Sequence, residues 1–258
     1  MGGVQYPIFF YKENDMKKII AVMAALAVSS LSAFAVDITV GARGNFNMGL
    51  GTSLEGDMKE TRDGMKDSMP PSVSWKEGGD MGGGFAVYAN FGLLDLGGAS
   101  LGVQPEVGMN FNNGYYFKAE QGSNKMEIDF YDTTIDIPVL VTFTYPVMDA
   151  LSIGGGIGPY LSIPVIADGK EEMSGVVNAK FSDDNNVKAS MNFGLAFDVN
   201  GAYKVGPGSI VLDLRYMMDL TPTKFTSTEK DTGDVDMDNE KIFTRRAFTI
   251  GLGYQIKF

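Results

Sequence analysis

Phe248-Thr249-Ile250-Gly251-Leu252-Gly253-Tyr254-Gln255-Ile256-Lys257-Phe258 is the stretch that decides the fold. Its even positions hold Phe, Ile, Leu, Tyr, Ile and Phe, and its odd positions hold Thr, Gly, Gly, Gln and Lys. A period of two gives a strand one apolar face and one small or polar face. A soluble sandwich strand is usually followed by more chain, so an amphipathic strand running to a terminal aromatic predicts a β-barrel that sits in lipid.

If the pattern is structural it must recur, and it does so about eight times. From Ile38 the apolar stripe is Ile38, Val40, Ala42, Gly44, Phe46, Met48 and Leu50, with Arg43, Asn45 and Asn47 between. A second stripe runs Phe85, Val87, Ala89, Phe91 and Leu93, and a third Leu101, Val103, Pro105, Val107, Met109 and Phe111. The fourth is Ile135, Ile137, Val139, Val141, Phe143 and Tyr145. A less regular fifth is Leu151, Ile153, Gly155, Ile157, Pro159 and Leu161. Ala189 to Val199, Ile210 to Met218 and the C-terminal segment complete the set. Each is long enough for the ~9–11 residues that a tilted strand needs to cross the apolar slab. No later run approaches a spanning helix, so a chain that crosses lipid must do so as a closed sheet with every backbone group paired.

Connector lengths predict orientation. The links Asp95 to Ser100, Pro146 to Ala150 and Lys204 to Ser209 are short, whereas Gly51 to Met81, Asn112 to Asp132, Ile163 to Lys188 and Asp219 to Ile242 are long. Outer-membrane barrels place short turns in the periplasm and long loops outside, so both termini are expected in the periplasm. Pro105, Pro138 and Pro159 fall inside strands, where a barrel has no free edge to absorb a missing N–H, and they predict bulges. If they break strands instead, ten shorter strands using Met126 to Phe130 or Val176 to Phe181 are the alternative; otherwise those stretches extend hairpins above the membrane.

The front of the chain fits export. Met16-Lys17-Lys18, an apolar core from Ile19 to Leu31 and Ser32-Ala33-Phe34-Ala35 read as a signal peptide over residues 16–35, cleaved before Val36. Residues 1–15 read as a start-site overcall, leaving 36–258 as the barrel. Residues 1–35 carry three of the 21 basic and two of the 32 acidic residues, so the remaining 223 residues hold 18 against 30, a formal charge of −12. Such acidity disfavours nucleic-acid binding. Without cysteine there is no disulfide framework or thiolate chemistry.

The string Ile135-Asp136-Ile137-Pro138-Val139-Leu140-Val141, followed by Gly154-Gly155-Gly156-Ile157-Gly158-Pro159-Tyr160, resembles the outer-membrane β-barrel domain family that includes PorT-like and OmpX-like small barrels. The resemblance covers essentially Val36 to Phe258. It implies an eight-stranded fold, with function in the long loops, where members of such families differ most.

With the faces assigned by parity, the inward charges are Arg43, Arg215, Arg245 and Lys257 against Glu106, Asp136, Asp198 and Asp213. This balanced set predicts an ion-pair network that fills a lumen only wide enough for side chains; a narrow polar conduit is the alternative. Other motifs fail on inspection. Gly154 to Gly158 lacks the Lys-Ser/Thr of a phosphate loop. Asp234 to Asn239 opens like a calcium loop, but its twelfth position is Arg245. Met58, Met65 and Met69 beside Asp57, Asp63 and Asp67 have spacing too loose for a soft-metal site. The chain also lacks the histidine that serves as base in hydrolytic barrels.

The expectation is a monomeric, non-enzymatic, cofactor-free outer-membrane barrel in contact with lipid, with acidic outer loops in a structural or interaction role. A narrow porin-like channel for small or hydrophobic solutes and an adhesin for an unknown extracellular ligand are the rivals. Trp75, the lone tryptophan, is the candidate loop contact. Leu252, Tyr254, Ile256 and Phe258 are expected to be read by the barrel-assembly machinery.

Overall fold

A computed structural model describes residues 37–173, 177–180, 185–230 and 235–258. The signal-peptide and start-site readings lie outside the described residues, as does Asp234. Eight strands form a closed antiparallel ring: β1 (Asp37–Met48), β4 (Met81–Asp95), β5 (Ser100–Gln121), β6 (Asn124–Met148), β7 (Leu151–Met173), β10 (Asn192–Val205), β11 (Gly208–Asp219) and β14 (Arg246–Lys257). The ring closes where β14 meets β1, with Ala42 opposite Tyr254 and Phe46 opposite Ile250. Alternation drives this closure. Along β1, Arg43 and Asn47 are buried while Val40 and Phe46 are exposed, so one sequence period supplies both lumen and exterior. The exterior is an apolar belt of residues such as Val87, Val141, Ile157, Val199, Leu212 and Leu252. The fold is an eight-stranded, up-and-down transmembrane β-barrel. Among the described residues no helix is long and apolar enough to cross a membrane.

One end of the barrel carries only tight turns, after β4, β6 and β10; in the first, Gly97 and Gly98 adopt φ of 76° and 115°, a region open to glycine. Here this is named the turn end. At the opposite, loop end the chain builds a cap instead of loose loops. Strands β5, β6 and β7 run on past the belt as one continuous sheet, joined at its edges by β3 (Ser74–Gly79) and β8 (Val177–Lys180). Strands β2 (Ser53–Leu54), β13 (Val235–Thr244), β12 (Thr223–Glu229) and β9 (Asn185–Ala189) form a second antiparallel sheet, and helix α1 (Gly56–Ser68) lies between β2 and β3 in sequence. Leu54, Tyr115, Phe117, Phe130, Phe225, Ile242 and Phe243 are buried together as the cap core. Met58 and Met65 of α1 pack against it, which accounts for two of the first-loop methionines.

Two expectations need correction. Between β5 and β6 the register shifts between Asn110 and Asn113, and burial moves from Glu106, Gly108 and Asn110 to Tyr115, Phe117 and Ala119. Met126 to Phe130, expected to extend a hairpin above the membrane, does so within β6, but the stretch from Asn113 to Gln121, expected as loop, is strand whose phase has been inverted by a bulge. The prolines, by contrast, do not sit in bulges. Pairing lapses for two residues at or beside each proline and resumes unshifted, with Tyr88 opposite Glu106 and then Phe91 opposite Val103, and with Pro138 opposite Tyr160 and then Val141 opposite Ile157. Strong pairing on both sides holds the register across each lapse.

Candidate functional site in the barrel lumen

Inward parity brings Arg43 from β1, Glu106 from β5, Asp198 from β10, and Asp213 and Arg215 from β11 into one layer across the lumen. Glu106 accepts hydrogen bonds from Arg43 and from both terminal nitrogens of Arg215, the latter at 2.8 and 3.2 Å. Asp213 lies 3.4 Å from Arg43 Nη1 and 3.7 Å from Arg215 Nη2, and Asp198 lies 3.3 Å from Arg215 Nη2. Arg43 is 6% exposed and Arg215 2%. Charges so enclosed persist only when each is closely paired. Arg43 also lies 5.7 Å from the centre of the Tyr88 ring.

A second layer stands nearer the loop end. Arg245 Nη2 is 3.5 Å from Asp136 and 3.6 Å from Asp219, and its guanidinium lies 5.6 Å from the centre of the Tyr160 ring. The Tyr160 hydroxyl donates to Asp219, as does Asn192 at 3.2 Å. The Ser162 hydroxyl donates to Asp136, which also accepts from Asn110 at 2.7 Å. Next to the first layer is a void of about 10 Å³ lined by residues of both layers, room for about one water. Beyond the second layer the cap core closes the loop end. Toward the turn end the lumen widens to a cavity of about 640 Å³, lined by Thr39, Asn90, Gln104, Thr142, Asn200 and Gln255 and reaching Arg43 and Asp213.

The structure therefore gathers seven of the eight parity-derived charges into two layers. Lys257 is not with them: its side chain is 66% exposed and pairs at 2.6 Å with Asp37 at the turn-end rim. Asp132 and Asp219, taken from sequence as the borders of loops, are 2% and 3% exposed and face Arg245. Three arginines thus stand among Glu106, Asp132, Asp136, Asp198, Asp213 and Asp219, and the expected balance of signs gives way to an acidic excess.

In the cap, Trp75 is half-buried on β3, packed against the core with Lys66 Nζ 5.9 Å from its ring centre. Neighbouring Glu77 accepts from Arg62, from Lys66 at 2.8 Å and from Tyr115 at 3.0 Å. Burial pushes its carboxyl up, but these bonds outweigh burial and hold it below the usual range. Asp80, between β3 and β4, has no such partners among the described residues. Burial, with Asp129 and Glu127 adding like charge, pushes it up to about 7. Leu252, Tyr254, Ile256 and Phe258 lie on the exterior at the turn end, where Phe258 N–H donates to Ile38 at 2.8 Å and Tyr254 to the Val205 carbonyl at 3.1 Å.

No family model matches the chain, and no curated protein does. Among solved structures it is similar to the outer membrane protein OprG from Pseudomonas aeruginosa, at 10% identity and TM-score 0.47, over 87% of this chain and 97% of that one. A major outer membrane protein from Thermus thermophilus is similar at 15% identity and TM-score 0.46, over 86% and 99%. The outer membrane protease OmpT from Escherichia coli is similar at 11% identity and TM-score 0.45, over 86% and 95%. Identities this low transfer no residue roles. The barrel assignment rests on the chain's own ring of eight strands, its apolar exterior and its polar, ion-paired interior.

Proposed function

We propose that this chain is a non-conducting bacterial outer-membrane barrel that holds a folded cap at the cell surface, in a structural or surface-interaction role. The observation that carries this reading is the lumen, crossed by two ion-pair layers and closed at the loop end by an apolar core. In this reading the turn end and both termini face the periplasm, the cap faces outward, and the barrel acts as a monomer without catalysis. The 640 Å³ cavity is then a water-filled, dead-ended vestibule. Export by the signal peptide and insertion guided by Leu252, Tyr254, Ile256 and Phe258 belong to the same proposal.

The test is single-channel recording on refolded residues 36–258 in planar bilayers, with a heat-modifiability gel to establish folding. Folded protein is expected to be silent. Reproducible openings would replace this reading with the narrow-channel one and make Arg43, Glu106 and Arg215 the constriction to mutate.

A further inference from the structure

We infer that the turn-end cavity is a binding site for a small neutral saccharide. Its volume of about 640 Å³ lies in the ~300–1,000 Å³ range of small-molecule sites, and paired strands supply its walls. Glycines on the lumen face let side chains from neighbouring strands lie flat against the wall, which keeps the centre open. The Tyr88 ring covers Gly41, Asn90 covers Gly102 and Asn200 covers Gly154, each so closely that a methyl on the glycine would collide with it.

The amides on this wall are each held at one atom and open at the other. Asn90 Nδ2 donates to Gln104 Oε1 at 3.2 Å and to Thr142 Oγ1 at 2.8 Å. The Tyr88 hydroxyl donates to Gln255 Oε1 at 3.1 Å, and Asn200 Nδ2 donates to Asp198 at 2.7 Å. Among the described residues Gln104 Nε2, Gln255 Nε2, Asn90 Oδ1 and Asn200 Oδ1 have no hydrogen-bond partner, and none of them is sealed from the cavity. Fixed donors and fixed acceptors therefore stand side by side, a set that ligand hydroxyls satisfy because each both donates and accepts. Across the ring, four strands away from β4 and β5, β10 and β11 place Ala202 beside Val211, an apolar patch for the C–H face of a sugar ring. The lining is electrically balanced, with Asp37, Asp95 and Asp213 against Arg43, Lys204 and Lys257. Asp37 pairs with Lys257 at 2.6 Å and Asp213 faces Arg43 at 3.4 Å, so a charged ligand finds no excess of opposite charge. A wholly apolar ligand would leave the four amide atoms unpaired, at a cost.

The site goes beyond the non-conducting reading, and its test separates the two. Protein purified from outer membranes, its fold checked by heat modifiability, is titrated calorimetrically with maltose, lactose and N,N′-diacetylchitobiose, and with spermidine and citrate as charged probes. Wild type is expected to bind at least one of the sugars. Gln104→Leu keeps the bulk but removes the amide, and should weaken that binding about tenfold, the scale of one hydrogen bond. Ala202→Leu fills the apolar patch and should weaken it further. Folded wild type that binds none of the sugars overturns the site and leaves the barrel reading intact. Spermidine or citrate bound more tightly than every sugar overturns the neutral class, and unchanged binding in both variants overturns the location. Hydrogen exchange on the wild type decides should the variants fail to fold: protection by the sugar in the turn-end halves of β4, β5 and β10 supports the cavity, and protection confined to the cap overturns it. Single-channel openings that the sugar blocks would overturn the non-conducting reading while keeping the site.

Discussion

Glu106 connects the two arginines of the turn-side layer, and its loss would leave Arg43 and Arg215 enclosed with only Asp198 and Asp213 to share. Glu106→Ala is expected to cost about 3–5 kcal/mol, the range for removing one partner of a buried pair, read as a lower urea midpoint for loss of heat modifiability. Asp80 gives a pH dependence of known sign. Its folded carboxyl titrates near 7 because of burial and the neighbouring Asp129 and Glu127, well above the unfolded value of about 4. Between these values the folded state binds more protons than the unfolded one, so cap stability falls as pH rises from about 4 to 7 and levels off above. Hydrogen exchange of β3 and β4 across that range should show the decline, and Asp80→Asn should flatten it. Parity alone assigned Arg43, Glu106, Asp136, Asp198, Asp213, Arg215 and Arg245 to the interior. It could not separate Lys257 from them, because parity fixes a face and not a height along the barrel. Asp132 and Asp219 were missed because apolar alternation fades where strands leave the lipid.

Among the elements, the ring strands were legible because one face must meet lipid, which forces an apolar residue at every second position. The cap was legible in part, at Met126 to Phe130, expected to extend a hairpin; its other strands meet water on one side and a private core on the other, which leaves no stripe fixed by lipid. The bulge between Asn110 and Asn113 also inverted the phase that would have extended β5. Helix α1 gave little signal: its sequence, Gly-Asp-Met-Lys-Glu-Thr-Arg-Asp-Gly-Met-Lys-Asp-Ser, is polar apart from Met58 and Met65 and buries no residue fully. The cap core nevertheless makes a falsifiable unit. Phe225 is fully buried and packs edge-on against Phe130 and Phe243, with ring centres 5.9 and 6.2 Å away. Phe225→Ala is expected to cost about 3–5 kcal/mol and to speed amide exchange in β12 and β13, while the ring strands keep their protection. Uniform loss of protection would show that cap and barrel unfold together.

At the scale of the molecule, the proposed insertion signal lies at the turn end. Phe258 is 77% exposed at the tip of the stripe Leu252, Tyr254 and Ile256, and its backbone already ties β14 to β1 through Ile38. Phe258→Asp should leave export unchanged and reduce outer-membrane protein severalfold, measured by fractionation; normal levels would remove this residue from the assembly signal. At the other end, β5 and β6 travel together beyond the bulge to a turn at Gly122. The stretch Asn113 to Gln121 rises about 3.3 Å per residue along the strand, so this hairpin is a mast running roughly 30 Å from the bulge to its tip. An epitope spliced at Gly122 would be carried clear of the bilayer, whereas one at Gly97 would lie at the opposite rim. Antibody staining of intact and then permeabilised cells would read the protein's polarity directly, with the mast visible first if the cap faces the outside world.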